Sequence, residues 1–266
     1  MTALEIALVC SGAVIFFALA ALFFYLSNNL IKVTKYAVES GKTERAVRVV
    51  HLSDLHGKRF GKGNGRLAKK VAALRPDIIA FTGDIIHCYN RKNTEVAVEA
   101  VKVLSEIAPL YYASGNHEMR SREYKFLREK LTEAGAVVLE DEAVKVCGIT
   151  VAGVNCAHIK GGRFFSLAGG DGFKMLLAHL PHYIERYAMA GYDLTLCGHA
   201  HGGQWRIPFT GIGVYAPGQG LFPKYSEGMH SCGNMRQVIS RGLGNSQFPL
   251  RLFNRPEIVV VDIVGK

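Results

Sequence analysis

Acidic, amide and histidine side chains stand just beyond apolar segments at five places in this chain of 266 residues. The motifs are "SDLHG", "TGDII", "GNHE", "AHLPH" and "GHAHGG". The candidate site residues in them are Asp54, His56, Asp84, Asn116, His117, His179, His199 and His201. One such histidine alone is more often structural than metal-binding, but the same design in five loops indicates one shared site. Carboxylate, amide and imidazole donors without a thiolate suit manganese, iron or zinc held for chemistry, whereas a structural zinc site is typically rich in cysteine.

These loops follow segments typical of buried strands, and helices separate the strands. "RAVRVVHL", "DIIAFT", "LYYA", "FKMLL" and "YDLTLC" are short runs rich in β-branched and other apolar residues. Helical spacing of apolar residues, with a proline at the end, marks "GRLAKKVAALRP" and "NTEVAVEAVKVLSEIAP". The pattern predicts an α/β chain whose polar residues cluster where strands stop, which is where open α/β sheets bind ligands. The glycine-rich stretches at 161–172 and 202–220 are predicted to be loops.

The first thirty residues differ in composition from the rest of the chain. Residues 6–26, "IALVCSGAVIFFALAALFFYL", carry no charge, and as a helix they would span about 31 Å, the thickness of a bilayer core. A cleaved signal peptide needs a basic start, whereas "MTALE" supplies only an acid. A buried helix of a soluble protein would show a polar stripe, and this segment has none. Segment 1–30 is therefore predicted to be a transmembrane anchor.

Charge and cysteine content bear on the compartment and on the partners. No lysine or arginine precedes the apolar segment, and the basic residues that follow it are Lys32, Lys35, Lys42, Arg45 and Arg48. The positive-inside rule then predicts a single-pass inner-membrane protein whose large C-terminal part faces the cytoplasm. Six cysteines without a C-x-x-C pair indicate free buried thiols in a reducing compartment. The net charge of +10 attracts anions, but the lack of a basic helix or arginine–aromatic platform, together with the anchor, disfavours nucleic acid.

The five motifs, in this order, resemble the signature blocks of the calcineurin-like metallophosphoesterase superfamily over roughly residues 47–262. Downstream, "GQWRIP", "APGQGLFPKYSEG", "SRGLG" and "RPEIVVVDI" resemble the subgroup of membrane-anchored bacterial phosphohydrolases. The resemblance implies a four-layer αββα sandwich of two mixed sheets, preceded by one transmembrane helix. It divides the chain into the anchor at 1–30, a juxtamembrane linker and first strand at 31–46, and the metallophosphoesterase domain at 47–266.

The same resemblance implies a role for each motif residue at a centre of two divalent metal ions, with manganese favoured and iron or zinc as alternatives. The expected ligands of one ion are Asp54, His56 and His201, and those of the other are Asn116, His179 and His199. Asp84 is expected to bridge the two ions. His117 is expected to be catalytic, lying over the substrate phosphate without binding metal.

Two ions that share a carboxylate and a water lower the pKa of that water, so that hydroxide can attack phosphorus in line. His117 would then protonate the leaving oxygen or stabilise the transition state as a cation. We therefore expect a membrane-anchored phosphohydrolase that cleaves a phosphodiester or pyrophosphate bond; among relatives, a lipid precursor such as UDP-diacylglucosamine is one known substrate type. The alternatives are a phosphodiesterase acting on soluble diesters or cyclic nucleotides, and an inactive metal-binding scaffold. The scaffold is disfavoured because all eight motif residues are present.

Two residues beside the motifs have more than one interpretation. His87 follows Asp84 by three residues, where many relatives have an acid. It either contacts the ligands and tunes the site, or it is a loop histidine without a role, and the second interpretation is favoured. Glu118 either orients the loop or ring beside it or forms an ordinary salt bridge.

Charged and aromatic residues in the long loops are equally open to two interpretations. Arg163 and Lys224 either clamp a substrate anion or are solvated loop charges, and the solvated state is favoured. Trp205 and Phe209 either form an apolar wall or touch the membrane, or they pack in the ordinary way, which is at least as well supported. The sequence predicts no oligomeric state.

Overall fold

Two six-stranded sheets packed face to face form the centre of the computed structural model, which describes residues 2–87, 93–245 and 248–265. The strands of the first sheet are β1 (Lys32–Ser40), β2 (Val47–Leu52), β3 (Ile78–Thr82), β4 (Leu110–Ala113), β5 (Ala136–Val138) and β14 (Glu257–Gly265). Their order across the sheet is β1-β14-β2-β3-β4-β5. Strands β2 to β5 run parallel, and β14 is antiparallel to β2.

The second sheet likewise contains four adjacent parallel strands. Its strands are β6 (Glu142–Val146), β7 (Ile149–Gly153), β8 (Lys174–Leu177), β9 (Leu194–Cys197), β12 (Gly228–Cys232) and β13 (Met235–Ile239), in the order β12-β13-β9-β8-β7-β6. Strands β7, β8, β9 and β13 run parallel, and the edge strands β6 and β12 are antiparallel to their neighbours. A separate ladder joins β10 (Tyr215–Ala216) to β11 (Gly220–Leu221).

Helices cover the outer faces of the two sheets. The helices are α1 (Ala3–Asn29), α2 (Gly65–Ala73), α3 (Asn93–Ser105), α4 (Asn116–Arg120), α5 (Tyr124–Glu133) and α6 (Ile184–Met189). Leu67, Val101 and Leu127 of α2, α3 and α5 share one apolar cluster with the first sheet. A second cluster lies between the sheets, and a third joins the second sheet to α6. This arrangement confirms the expected four-layer αββα sandwich of two mixed sheets.

The continuous apolar run of β3 follows from burial on both faces. Successive side chains of a strand point to opposite faces. Ile79 and Phe81 pack against the helices, whereas Ile78 and Ala80 pack between the sheets. Because β2, β3 and β4 are parallel, as are β8 and β9, the loops that follow each set leave from one edge of its sheet. All five motifs lie at the carboxyl ends of these strands.

Residues Lys32–Ser40, within the segment expected to hold a linker and a first strand, pair along their whole length with β14. The register joins Lys32 to Glu257 and Ser40 to Gly265, so the two ends of the chain form neighbouring strands of one sheet. Val38 of β1 is buried in the cluster between the sheets. This strand is therefore part of the folded domain.

Helix α1 is apolar on every side, and it is long enough and apolar enough to cross a membrane. It contains 27 residues, which corresponds to a length of about 40 Å. It begins with a capping box, in which the hydroxyl of Thr2 accepts the N–H of Glu5 and the Glu5 carboxylate accepts the N–H of Thr2. Its most apolar part has no buried residue. The helix therefore stands away from the domain over most of its length.

The last turn of α1, in contrast, is bound to the domain. Its carbonyl oxygens accept hydrogen bonds from cations of three separate segments: Lys58 to Asn28, Arg66 to Asn29 and Arg255 to Leu30. Cations at this end of a helix are favoured because its exposed carbonyls carry partial negative charge. The helix end is therefore held in one orientation by hydrogen bonds.

The cysteines within the described residues are unpaired. They are Cys10, Cys147, Cys156, Cys197 and Cys232. Cys156 and Cys197 are buried, and burial raises the pKa of the Cys197 thiol well above its ordinary value. Cys88 lies outside the described residues.

Candidate metal centre

Asp54, His56, Asp84 and His201 form the first group of converging side chains. Nε2 of His56 lies 3.1 Å from Nε2 of His201, 3.9 Å from Oδ1 of Asp54 and 3.8 Å from Oδ2 of Asp84. Nε2 of His201 lies 3.3 Å from Oδ1 of Asp54. All four side chains are buried, and their donor atoms lie within 4.8 Å of one another. Nitrogen and oxygen donors at this spacing can surround one metal ion.

Asp84, His179 and His199 form the second group. Nε2 of His179 lies 3.1 Å from Oδ2 of Asp84 and 3.2 Å from Nδ1 of His199. Oδ1 of Asn116 lies 3.1 Å from the same Nε2 and adds an amide oxygen to the group. Because Asp84 belongs to both groups, its carboxylate is placed to bridge two ions.

The hydrogen bonds of His179 show that the second group fits a cation. Nδ1 of His179 donates to the carbonyl oxygen of Thr82 at 2.7 Å, so Nε2 carries the lone pair of the neutral ring. That nitrogen faces the oxygens of Asp84 and Asn116, which are also acceptors. Burial lowers the pKa of His179, but the charge of Asp84 and its hydrogen bond outweigh burial and raise the pKa to about 10. The group thus favours a positive charge at its centre, which a divalent ion supplies while the ring stays neutral.

The buried carboxylates of the first group lead to the same conclusion. Burial raises the pKa of Asp54 to about 7, and the nearby charge of Asp84 acts in the same direction. Both carboxylate oxygens of Asp54 accept the backbone N–H of His199, at 3.1 Å. The buried carboxylates of Asp54 and Asp84, whose donor oxygens lie within 4.8 Å of each other, are stable in the ionised form only when cations offset their charge. The donor set therefore fits two divalent metal ions.

Backbone strain is concentrated at the same residues. Asp54, His56, Asp84, His199 and His201 have φ angles of 52°, 48°, 51°, 70° and 49°. Positive φ is uncommon outside glycine, because the side chain then approaches the backbone. Such residues cost about 1–3 kcal/mol each and persist where the surrounding packing demands them, which is typical of functional sites. The strain turns these side chains sharply inward at the ends of their strands.

Two glycines of the motifs are required by space. A Cβ atom on Gly198 would lie 1.9 Å from Oγ of Ser53 and 2.4 Å from Oδ2 of Asp54. A Cβ atom on Gly83 would lie 2.3 Å from the backbone nitrogen of Gly115. Neighbouring motif loops therefore pack so closely at these two positions that no side chain fits between them. This explains why glycine precedes both Asp84 and the "HAH" residues.

Glu118 joins two motif loops, so the orienting role is the one that the structure supports. Its Oε2 accepts the backbone N–H groups of Asp84 and Gly115, each at 2.7 Å, and its Oε1 accepts that of Ile86 at 3.2 Å. Burial and the charge of Asp84 raise the pKa of this carboxyl to about 7, against the three N–H donors. Glu118 thus ties the loop after β3 to the start of α4. The sequence shows Glu118 beside the motif histidine but carries no signal of its three backbone partners.

His117 and His87 lie side by side next to the first group. The backbone N–H of His117 donates to Oδ1 of Asp84 at 2.8 Å, and its Nε2 lies 3.9 Å from Oδ2 of Asp84. The ring of His117 lies 4.7 Å from that of His56 and 4.8 Å from that of His87, measured between centroids. The rings of His87 and His56 are 5.8 Å apart. His87 is therefore in contact with the site, which favours the first of its two interpretations.

A cavity of about 460 Å³ opens over the ligands. Asp84, Asn116, His117, His199 and His201 line one part of it. The remaining lining residues are Arg120, Ala200, Gln204, Tyr215, Pro217 and Phe248. The cavity is therefore lined by the candidate ligands together with both polar and apolar side chains.

The two loop cations that the sequence offered as clamps for a substrate anion, Arg163 and Lys224, do not lie at the cavity. Arg163 is 59% exposed and lies 4.0 Å from Asp141, and Lys224 lies over the ring of Tyr225. Neither is among the residues that line the cavity. Arg120, which is not among the predicted site residues, does line the cavity, and its position two residues after "GNHE" is the sequence signal for it.

Two mixed sheets that carry two groups of candidate ligands with one shared aspartate are the arrangement of a metal-dependent phosphoesterase. The model of the family described as calcineurin-like phosphoesterase matches residues 47–203, and the chain belongs to this family. It is 30% identical over 260 residues to an uncharacterized metallophosphoesterase of Aquifex aeolicus, covering 91% of this chain and 95% of the relative. It is 30% identical over 239 residues to phosphodiesterase YaeI of Escherichia coli, covering 82% of each chain. The crystal structure of TT1561 of Thermus thermophilus shares the fold, with a TM-score of 0.50 and 14% identity over 74% of this chain and 90% of that chain.

The structure thus brings all eight motif residues together at one edge of the sandwich. Seven of them supply the converging donor atoms, and His117 lies beside them. The assignment of individual ligands to individual ions, and the catalytic role of His117, stay predictions.

Proposed function

We propose that the protein is a membrane-anchored phosphodiesterase or pyrophosphohydrolase that acts on a lipid-linked phosphate at the cytoplasmic face of the inner membrane. The observation that carries this proposal is the position of Asp84, which is shared by two buried ligand groups and lines an open cavity. The two groups that share Asp84 would hold two divalent ions, which would supply the positive charge that an in-line displacement at phosphorus needs. We propose manganese as the metal, with iron or zinc as alternatives.

The side chains around the cavity divide the remaining work. When bound, the two ions activate a water molecule and offset the charge that builds on the phosphoryl oxygens. His117 lines the cavity next to the ligands, where its ring can donate a hydrogen bond to a phosphoryl or leaving oxygen. Arg120 lines the same cavity and attracts the phosphate electrostatically. Glu118 keeps the loops of Asp84 and His117 in fixed relation.

Helix α1 and the E. coli relative support the finer parts of the proposal. The helix has the length and composition of a membrane span, and basic residues follow it but do not precede it. The relative named a phosphodiesterase covers 82% of this chain. An enzyme anchored in this way reaches substrates in or near the bilayer, so a lipid precursor such as UDP-diacylglucosamine is the substrate that we propose to test first.

The proposal is tested by ³¹P NMR of the full-length protein in detergent with manganese. One sample contains UDP-diacylglucosamine and another contains bis(p-nitrophenyl) phosphate, a soluble diester that reports whether the site is assembled. Asp84→Asn and His117→Ala are run as inactive controls, and Asp171→Asn serves as an exposed acidic control that should keep wild-type activity. Metal content is measured on the same samples by mass spectrometry.

Release of UMP by the wild-type protein, and not by the two site variants, supports the lipid assignment. Hydrolysis of the soluble diester alone keeps the two-metal phosphodiesterase and overturns the lipid substrate tested. Cleavage of neither compound, with two metal ions bound per chain, contradicts the catalytic proposal and returns the scaffold as the better description.

A further inference from the structure

Large apolar side chains are exposed on the face of the domain that carries the cavity. We call six of them the apolar rim: Ile207, Phe209, Ile212, Leu221, Phe222 and Phe253, whose exposed fractions range from 40% to 108%. Isolated exposed apolar residues are ordinary, but a contiguous group beside a site marks a surface that contacts a partner or a membrane. The rim is therefore a candidate contact surface.

The backbone is strained at three rim residues whose side chains are exposed. Phe209, Phe222 and Phe253 have φ angles of 64°, 52° and 52°. A positive φ in a bulky residue is a real outlier and persists only where the environment favours it. At the metal ligands the strain turns side chains inward, whereas these three phenylalanines are at least half exposed. An apolar medium outside the protein would favour the exposed position.

The rim is continuous with helix α1. The rings of Phe23 and Phe253 lie 5.0 Å apart, and Phe23 belongs to the uncharged segment 6–26. Phe23 precedes the helix end at Leu30 by seven residues, or about 10 Å along the axis. If α1 spans the bilayer, Phe253 therefore reaches the depth of its apolar segment.

The segment that carries Phe253 is hydrogen-bonded both to the end of α1 and to the loop that bears Phe209. Oδ1 of Asn28 accepts the backbone N–H of Arg251 at 2.9 Å. The carbonyl of Leu252 accepts the N–H of Arg206 at 3.0 Å, at the start of the loop that bears Phe209. Helix, Phe253 and the 205–213 loop are thus joined by hydrogen bonds, and the helix cannot turn away from the rim without breaking them.

The other side of the rim borders the cavity. Phe248 packs against Trp205, with ring centroids 4.9 Å apart, and Phe248 also lines the cavity. Leu221 pairs with Tyr215, which is another lining residue. Ring contacts and strand pairing therefore connect α1 and the rim to residues that line the cavity.

We propose that the apolar rim inserts into the interfacial layer of the bilayer beside the anchor, so that the mouth of the cavity opens onto the lipid headgroups. This inference rests on the proposed function in one respect, namely that α1 spans the membrane. The substrate class that fits is an amphiphile whose phosphodiester or pyrophosphate group enters the cavity while its acyl chains stay among the lipids. Aromatic side chains are enriched at this depth of a membrane, and apolar area buried there strengthens binding.

The chain contains a single tryptophan, Trp205, which makes a depth measurement possible. In a Trp205→Phe background, one tryptophan is placed at a time by Phe209→Trp in the rim, Phe16→Trp within α1 and Met189→Trp on α6. Met189 is 77% exposed and lies at the end of α6, just before β9 begins. It is therefore at the amino-terminal end of that strand, and the motif loops are at the other end. Each full-length variant is reconstituted into phosphatidylglycerol–phosphatidylethanolamine vesicles with dibrominated acyl chains, and quenching of tryptophan fluorescence is measured.

Quenching at positions 16 and 209, and not at 189, is the expected result. Quenching at 16 alone overturns the inference and leaves the anchor in place. A blue-shifted but unquenched signal at 209 also overturns it, because the rim would then contact protein, such as a second copy of the chain. Quenching at neither 16 nor 209 contradicts the membrane anchor of the proposed function, and the inference fails with it.

A kinetic experiment in the wild-type background gives an independent result that does not depend on Trp205. Phe209→Glu and Leu221→Glu are compared with the matched control Met189→Glu, on the soluble diester and on a diester lipid in vesicles. We expect the two rim variants to lose about tenfold or more in activity on the vesicle substrate and to keep their activity on the soluble diester. Equal rates of all variants on the vesicle substrate, or equal loss on both substrates, contradict the inference. Thermal unfolding in detergent checks that the exposed substitutions leave the fold unchanged.

Discussion

The two histidines of "GHAH" reach their positions because the residue in front of them has no side chain. Gly198 packs its backbone against Ser53 and Asp54 of the first motif, so the loops after β9 and β2 meet directly. His199 and His201 then contribute to different ligand groups. The alternate spacing of the two histidines thus places one in each ligand group, and the glycine before them leaves room for the neighbouring loop.

Replacement of Gly198 by alanine should disrupt the centre. The added methyl group would lie 2.4 Å from Oδ2 of Asp54, so the Asp54 loop must move. We expect diester hydrolysis to fall by more than about 100-fold, as geometry errors near 1 Å can do at a catalytic site. Bound metal, measured by mass spectrometry, should fall with it. Gly169→Ala, where a Cβ atom meets nothing within 4 Å, is the matched control, and equal activity of the two variants would refute this account.

His51 makes the stability of the domain dependent on pH. Thr82 donates its hydroxyl to Ser53, so His51 Nε2 must donate to Thr82 Oγ1 at 2.8 Å, and His51 Nδ1 has no partner among the described residues. Burial lowers the pKa of His51 to about 3. In the unfolded chain its pKa is about 6.5. Between these values the unfolded chain binds more protons, so stability is lost as the pH falls.

As the pH falls from about 6.5 to 5, we expect protonation of His51 to lower the unfolding free energy by up to about 1.4 kcal/mol per pH unit. His51→Gln keeps a donor near Thr82 but cannot titrate, so its unfolding free energy should depend less steeply on pH. Urea unfolding in detergent, followed by Trp205 fluorescence, measures both slopes. Identical slopes for the two proteins would show that His51 is not the sensitive group.

Among the structural elements, the short helix α4 depends on Glu118 for its position. This carboxylate accepts N–H groups from the loop after β3 and from Gly115 in front of the helix. We expect Glu118→Ala to lower diester hydrolysis by about 10–100-fold, which is typical for residues that orient metal ligands. Glu129→Ala, an exposed change on α5, should have no effect.

A loss of activity alone would not separate misplacement from unfolding in this variant. Raising the manganese concentration should restore part of the activity of Glu118→Ala, because its ligands are present but poorly held. Full activity of Glu118→Ala at low manganese would contradict the orienting role. Thermal unfolding of the same samples shows whether the fold is retained.

At the scale of the whole molecule, the metal ions should hold the two sheets together. The first sheet supplies Asp54 and Asp84, and the second supplies His179 and His199 through their loops. A ligand that binds only the folded state stabilises it by about 2.7 kcal/mol at 100 times its dissociation constant. We therefore expect chelation with EDTA to lower the unfolding temperature and added manganese to raise it. Asp84→Asn should show little of this dependence, and an equal response of both proteins would argue against the shared carboxylate.

The sequence determined which residues carry chemistry and which elements present them. A strand followed at once by a polar loop is a local pattern, so Asp54, Asp84 and His199 could be found one motif at a time. The apolar run of α1 is local in the same sense. The order of the motifs, through the family resemblance, extended these local signals to the four-layer fold.

Only the tertiary structure decided what these residues meet. Glu118 binds three backbone N–H groups, two of which lie more than thirty residues earlier in the chain. β1 pairs with β14 across more than two hundred residues, and Phe23 meets Phe253 over a similar separation. Such contacts depend on how the sheets and helices pack, and the residues involved carry no local pattern that reports their partners. For the same physical reason, the apolar rim can be recognised only in the folded structure, because the sequence does not show which phenylalanines are exposed and which lie in the core.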